Sequence, residues 1–271
     1  MPELVAEPEE KRDQRELGSM SLLQHLEELR RRIIYSLIAV GVCTGAAWWW
    51  VRDIYAVIAK PVAVVLEKNK LDPHLSYLNP TDPFNLYMKV GLMAGIFIAS
   101  PFLLYQLWMF ISPGLYRNEK RFILPFLFLS VGLFLSGGYF GYKIVFPVAL
   151  DFLITTYGSD FKAVITIGEY TSLFLAIILG LSVIFELPIV LGFLAMMGVV
   201  NAKFLFRHIR GAVLFFFIIA AILTPTTDIL NMTIYAAPMI LLYVMSIGIA
   251  WLVHPKQRRA RKEKRERQGQ S

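Results

Sequence analysis

The chain has 271 residues, of which 56% are hydrophobic and 17% are charged. A soluble domain of this length cannot bury that much apolar surface, which excludes an ordinary soluble fold and favours a polytopic membrane protein. The 27 Lys and Arg against 20 Asp and Glu give a net charge of +7, typical of membrane proteins whose basic flanks face an anionic leaflet.

The first element in chain order is a charged segment, MPELVAEPEEKRDQRELGSM, at residues 1–20. Its charges and its shortage of apolar side chains predict a disordered cytoplasmic N-terminus. We expect no secretory signal peptide here, because no apolar stretch with a small-residue cleavage site follows the charges closely.

An amphipathic helix is predicted next, leading into the first membrane span. Its apolar residues recur at helical spacing, at Leu22, Leu26, Leu29 and Ile33. Its polar face carries five charged residues, Glu27, Glu28, Arg30, Arg31 and Arg32. The ordinary interpretation is that the two glutamates pair with Arg31 and Arg32 one turn on, while the arginines fix the topology.

Six apolar stretches predict an all-α membrane domain over residues 21–253, followed by a basic cytoplasmic tail at 254–271. The predicted transmembrane helices lie at 33–51, 90–111, 122–146, 170–200, 211–223 and 234–253. An apolar stretch of about 20 residues crosses a hydrocarbon core of roughly 30 Å as a helix. The last two spans are short, and the fifth, with 13 residues, is also compatible with a re-entrant segment or a core helix.

Lys and Arg are distributed unequally between the two sides of the membrane. If all six stretches cross, one side carries 20 of these residues and the other carries 7. By the positive-inside rule, both termini are then cytoplasmic. On the opposite side, the long connection 52–89 contains an apolar turn after Pro61, which predicts a short helix.

One acidic residue, Glu186, interrupts the apolar run GLSVIFELPIVLGF at 180–193. A charged side chain near the bilayer centre costs at least about 2.5 to 3.5 kcal/mol, so Glu186 should face protein, water or a partner, or carry a proton. Pro188 removes a helix hydrogen bond and should loosen the turn that contains Ile184. A purely structural alternative is a glutamate that is hydrogen-bonded to neighbouring spans.

Other functional classes receive little support from the sequence. A proton-coupled small-solute transporter with Glu186 as carrier is an alternative, but the two halves of the chain show no clear repeat. No H-E-x-x-H, C-x-x-C or G-x-S-G motif occurs, and all four histidines lie outside the apolar stretches, so we expect no enzyme, metal site or cofactor. The basic tail favours anionic lipid over nucleic acid as its partner.

Five stretches of the sequence resemble the TatC family, the receptor subunit of the twin-arginine protein translocase. They are HLEELRRRI at 25–33, SPFLLYQLWMFISPGLYRNEKRF at 100–122, VFPVALDFL at 145–153, SVIFELPIVL at 182–191 and LTPTTD at 223–228. The resemblance implies a concave helix bundle in the bacterial cytoplasmic (inner) membrane. It also implies a receptor that binds twin-arginine signal peptides of folded proteins. The receptor would then associate with copies of itself and with TatA-like and TatB-like single-span partners. Export would be driven by the proton motive force.

The resemblance also implies which residues carry this function. The implied peptide-binding residues are Glu28, Leu29, Phe110, Pro113, Leu115, Tyr116, Arg117 and Glu119. Two separately held carboxylates suit two adjacent guanidinium groups, because each guanidinium offers a planar fork of donors. Taken alone, Glu119 is typical of a solvated loop, since basic residues surround it. The resemblance further implies that Glu186 and Pro188 contact a partner. It gives only weak support for a functional role of Asp228, since an acidic residue there is normally a helix cap.

Overall fold

The computed structural model describes residues 22–72, 74–111, 123–157, 164–224 and 228–268. Its regular elements are helices, and one isolated parallel bridge joins Ser76 to Thr166. The helices are α1 Leu22–Ala47, α2 Val51–Lys68, α3 Asp82–Ile111, α4 Ile123–Phe140, α5 Phe146–Tyr157, α6 Ile167–Ile184, α7 Leu187–Met196, α8 Ala202–Arg207, α9 Ile209–Leu223 and α10 Ile229–Gln268. The prediction of an all-α protein is confirmed.

Membrane-crossing segments account for most of the described chain. Five helical segments are long and apolar enough to cross a membrane: Gln24–Lys68, Asp82–Ile111, Leu124–Thr156, Ile167–Met196 and Ile229–Trp251. A sixth apolar helix, α9, has 15 residues, so at 1.5 Å per residue it extends about 22 Å, short of the roughly 30 Å hydrocarbon core. The chain is therefore a polytopic all-α membrane protein.

Three of the crossing segments are interrupted helices, the first by the 3₁₀ turn Trp48–Trp50 between α1 and α2. A short π-helical turn, Gly141–Val145, separates α4 from α5. The predicted fourth span is divided at Phe185 and Glu186 into α6 and α7. Pro188 lies in the first turn of α7 and has no N–H to donate to the Ile184 carbonyl, so the α-helical ladder ends there. The Glu186 N–H instead donates to the Val183 carbonyl at 3.1 Å, as in a tighter turn.

Helix α2 differs from the short helix predicted after Pro61, because it already begins at Val51 and contains Pro61 in its interior. A proline at this position leaves the carbonyl of Val57, four residues earlier, without its helical donor. The hydroxyl of Tyr142, from the π-helical turn, donates to that carbonyl at 2.7 Å. A tertiary hydrogen bond thus replaces the helical one and allows α2 to continue through the proline.

This replacement predicts a measurable loss of stability in the Tyr142→Phe variant. Removal of the hydroxyl leaves the Val57 carbonyl without this donor, and we expect the free energy of unfolding to fall by about 1 kcal/mol. Reversible unfolding of the purified protein in detergent would measure the change. Tyr139→Phe is the matched control, because Tyr139 is exposed on the preceding turn. Equal stability of the two variants would contradict the prediction.

Helix α1 packs mainly against α3, and this contact sets the position of α1. Gly95 of α3 permits a close approach, because a Cβ at this position would lie 2.8 Å from the backbone nitrogen of Thr44 in α1. A larger side chain would force the two helices apart. The position of α1 on α3 therefore depends on a small residue deep in the contact, and it fixes which side chains meet at the end near Glu28.

Candidate functional site

The first candidate site surrounds Glu28, near the start of α1. Its carboxylate oxygen Oε1 accepts a hydrogen bond from Arg32 Nε at 3.0 Å and a second from Arg32 Nη2. The third arginine donor, Nη1, bonds to the side-chain oxygen of Gln106 in α3 at 3.0 Å. Glu28 and Arg32 are one helical turn apart, so this pair agrees with the pairing predicted from the sequence. No ion pair joins the other predicted couple, Glu27 and Arg31, both of which the structure describes.

Glu28 is largely withdrawn from solvent, and one of its oxygens has no partner. The side chains of Glu28 and Arg32 are only 12% and 14% exposed. The second carboxylate oxygen, Oε2, is buried and accepts no hydrogen bond. Buried carboxylate oxygens normally find donors, so this one has unused capacity to bind an N–H group.

An apolar groove begins beside this pair and runs along α1 and α3. Its volume is about 570 Å³. Leu29 and Phe110 line it together with Arg32 and Gln106, so the groove adjoins the arginine that binds Glu28. Glu28 itself lines a separate pocket with Glu27, Arg30 and Arg31. Phe110 also stacks on His25 of α1, with 4.3 Å between the ring centroids. The structure therefore brings together three of the sequence-predicted peptide-binding residues, Glu28, Leu29 and Phe110.

The remaining predicted peptide-binding residues lie outside the described residues. They are Pro113, Leu115, Tyr116, Arg117 and Glu119. All five belong to the connection between α3 and α4, and Phe110 lies in the last turn of α3, directly before this connection. The predicted role of Glu119 therefore stays a prediction.

The second candidate site is Glu186, at the junction of α6 and α7. Its side chain is half-buried, and the oxygen Oε1 has no hydrogen-bond partner. The Ser130 hydroxyl of α4 lies beside the carboxyl group and interacts with it. Ser130 in turn accepts a hydrogen bond from Trp108 Nε1 at 3.1 Å. Polar side chains from three crossing segments thus meet at Glu186.

An aromatic cluster supports this polar chain. The Trp108 ring packs edge-on against Phe193 of α7 at 4.9 Å and stacks with Phe126 of α4 at 5.5 Å. Trp108 is buried, as expected for a residue that joins three helices. The cluster fixes the orientation of the Trp108 N–H and so the position of Ser130 beside Glu186.

Asp228 serves as a helix cap. Its carboxylate oxygen Oδ2 accepts a hydrogen bond from the Asn231 N–H at 2.8 Å, at the start of α10. A carboxylate at this position satisfies one of the unpaired N–H groups and complements the positive end of the helix. The structure therefore supports the capping alternative that the sequence left open.

Two polar residues of these sites, Gln106 and Ser130, were missed by the sequence analysis, as was Trp108, which donates to Ser130. The first two are polar side chains inside apolar helices, and both are buried. That contrast was the available signal, because a polar group in a membrane-spanning helix usually faces protein. Among the described residues, no three His, Cys, Asp or Glu side chains are placed to hold a metal ion.

Comparisons with known proteins agree on one family. The family model described as "Sec-independent protein translocase protein (TatC)" matches residues 24–238. The chain is similar to a Sec-independent protein translocase protein TatC of Koribacter versatilis, with 56% identity over 94% of each chain. It is also similar to the protein of that name from Aquifex aeolicus, with 35% identity over 90% of this chain and 100% of that one.

A solved structure shows the same likeness. It is described as a crystal structure of the twin-arginine translocase receptor TatC, and it superimposes with a TM-score of 0.75 at 35% sequence identity. The match covers 84% of this chain and 99% of the solved chain. The fold described above is therefore shared along nearly the whole length of that structure.

Proposed function

The chain belongs to the TatC family of Sec-independent protein translocase proteins, and on that premise we propose that Glu28 binds an arginine of a twin-arginine signal peptide. As a member of this family, the chain is a subunit of the Tat protein translocase. The family consists of transport receptors and not of enzymes. Glu119 supplies the second carboxylate, one for each arginine of the peptide. Leu29 and Phe110 contact the apolar residues that follow the arginines.

The observation that carries this proposal is a buried carboxylate, Glu28, bonded to an arginine that itself lines an apolar groove. Glu28 Oε2 is buried without a hydrogen-bond donor, and Arg32, which binds Glu28 Oε1, lines the groove together with Leu29 and Phe110. A signal peptide combines the two complementary features, a cationic segment followed by an apolar one. The cationic segment of the peptide would therefore lie at the carboxylate, and the apolar segment that follows would lie in the groove.

Arginine fits this carboxylate better than lysine does. A guanidinium is planar and presents parallel N–H donors, whereas an ammonium is a compact point charge that gives up more hydration when it is buried. The pair already present supports this argument, because Arg32 binds Glu28 through two of its nitrogens and Gln106 through a third. The surroundings of Glu28 thus accommodate a complete guanidinium group.

We also propose a location and partners for the chain. The chain spans the bacterial inner membrane, and the excess of Lys and Arg on one side supports a cytoplasmic position for both termini. Glu186 and Pro188 contact the membrane-spanning helix of a TatA-like or TatB-like protein, and export draws on the proton motive force. The chain also associates with copies of itself, and its basic tail binds anionic lipid. Membership of a translocase family argues against the alternative of a proton-coupled small-solute transporter.

Site-specific photo-crosslinking tests where the peptide binds. A photo-reactive amino acid at Leu29 or Phe110 should form adducts with a twin-arginine peptide, because both side chains line the groove beside Glu28. The same probe at Leu214, an exposed position on α9, is the control and should give none. Replacement of both peptide arginines by lysine should remove the adducts. Equal labelling at Leu214, or labelling that survives the lysine replacement, would contradict the proposal.

A further inference from the structure

In this conformation neither oxygen of Glu28 is both exposed and free of a hydrogen-bond partner. Its Oε1 already accepts two hydrogen bonds from Arg32, and its Oε2 is buried. An incoming guanidinium therefore cannot form its two-bond fork with Glu28 while the Arg32 side chain keeps its place. The site described above is closed by a residue of the chain itself.

Arg32 is held in this closing position from two sides. On α1 it follows Glu28 by four residues, the order in which a glutamate and a basic residue attract each other most strongly on a helix. On α3 the Gln106 side-chain oxygen accepts from Arg32 Nη1 at 3.0 Å, and Gln106 is only 8% exposed. All three groups are shielded from water, so their hydrogen bonds resist exchange with solvent more than those of a surface pair.

We propose that Arg32 is an intramolecular competitor for the peptide arginine, which it mimics chemically. This inference rests on the proposed function, since it concerns the same carboxylate. In the unliganded receptor Arg32 occupies Glu28. A peptide binds when its own guanidinium takes the place of the Arg32 guanidinium, one cation being exchanged for a similar one. Glu28 thus keeps a counter-ion in both states.

The competitor sets a threshold for binding and leaves the preference among peptides unchanged. If only the open state binds, the apparent dissociation constant equals the intrinsic one divided by the open fraction. That fraction is a property of the receptor, so the affinity of every peptide is lowered by the same factor. Peptides that already bind Glu28 weakly, such as those with two lysines, then have too low an affinity to be retained by the receptor.

The Arg32→Lys variant tests the inference, because lysine keeps the positive charge but lacks the planar fork and the separate donor for Gln106. We expect the purified full-length variant in lipid nanodiscs to bind a fluorescent Arg-Arg signal peptide roughly fivefold more tightly than the unmodified receptor does. The Lys-Lys version of the peptide should gain by the same factor. The ratio of the two dissociation constants should therefore stay unchanged.

A second variant acts on the same contact from the other helix. Gln106→Met preserves the length of the side chain but removes the oxygen that holds Arg32, so it should also increase the affinity for both peptides. Arg31→Lys is the matched control, because Arg31 is the exposed neighbour of Arg32 in the chain and should leave both affinities unchanged. The paired variants separate release of Arg32 from a general effect of altering α1.

The direction of the change in peptide affinity shows whether Arg32 competes with the peptide or helps to bind it. If Arg32→Lys or Gln106→Met weakens binding or leaves it unchanged, Arg32 does not compete with the peptide and the inference is overturned. Failure of the underlying function gives a different result: the unmodified receptor would bind both peptides equally, or Glu28→Gln would leave binding of the Arg-Arg peptide intact. The same titrations distinguish the two failures.

Discussion

Replacement of Glu28 by glutamine should weaken binding of a twin-arginine peptide by about 2 to 3 kcal/mol, roughly 30- to 150-fold. The amide keeps the size of the side chain but loses the negative charge, and its NH₂ group cannot accept from a guanidinium. The carboxylate lies in a shielded position, only 12% exposed, where a charge-assisted hydrogen bond is stronger than at an open surface. Fluorescence titration of the purified receptor with a labelled peptide would measure the loss.

Glu27→Gln is the matched control for this experiment. Glu27 precedes Glu28 on the same helix but is exposed, so the same substitution there should change the affinity less than twofold. Glu119→Gln should cause a loss comparable to that of Glu28→Gln, because the proposal assigns one carboxylate to each arginine. Equal affinities for the Glu27 and Glu28 variants would show that the peptide does not bind this carboxylate.

The second large effect is expected at Glu186. If a single-span partner presents a polar side chain to this carboxyl group, Glu186→Gln should lower the yield of a crosslink between that partner and the α6–α7 junction about tenfold. A hydrogen bond to a charged group contributes about 1.5 to 3 kcal/mol, which is sufficient for such a loss. Disulfide crosslinking in native membranes would measure the yield, and export of a reporter protein should fall with it.

Two further variants define this second prediction. Glu67→Gln, at an exposed position on α2, is the control for removal of a carboxylate and should leave the crosslink intact. Trp108→Phe removes the N–H that donates to Ser130 but retains most of the ring, so it should give an intermediate loss. If crosslinking and export are both unaffected in Glu186→Gln, the carboxyl group has only the structural role considered as the alternative.

The interruption at Glu186 could be anticipated from the sequence in part. Pro188 predicted a loosened turn at Ile184, because proline lacks the N–H that the helix requires there, and the structure divides the segment at Phe185 and Glu186. The partners of the carboxyl group could not be anticipated in the same way. Ser130 and Trp108 come from other helices, and their meeting depends on how three helices are rotated against one another.

By itself the sequence determined the all-α class, the polytopic membrane character and the Glu28–Arg32 pair. Each of these follows from interactions within one helix or between one helix and lipid: apolar length, charge on the flanks, and a spacing of four residues. Only the tertiary structure decided that Gln106 holds Arg32 and that Arg32 lines a groove along α1 and α3. Those contacts join residues 74 positions apart and depend on the close approach of α1 to α3 at Gly95, which helical periodicity does not specify.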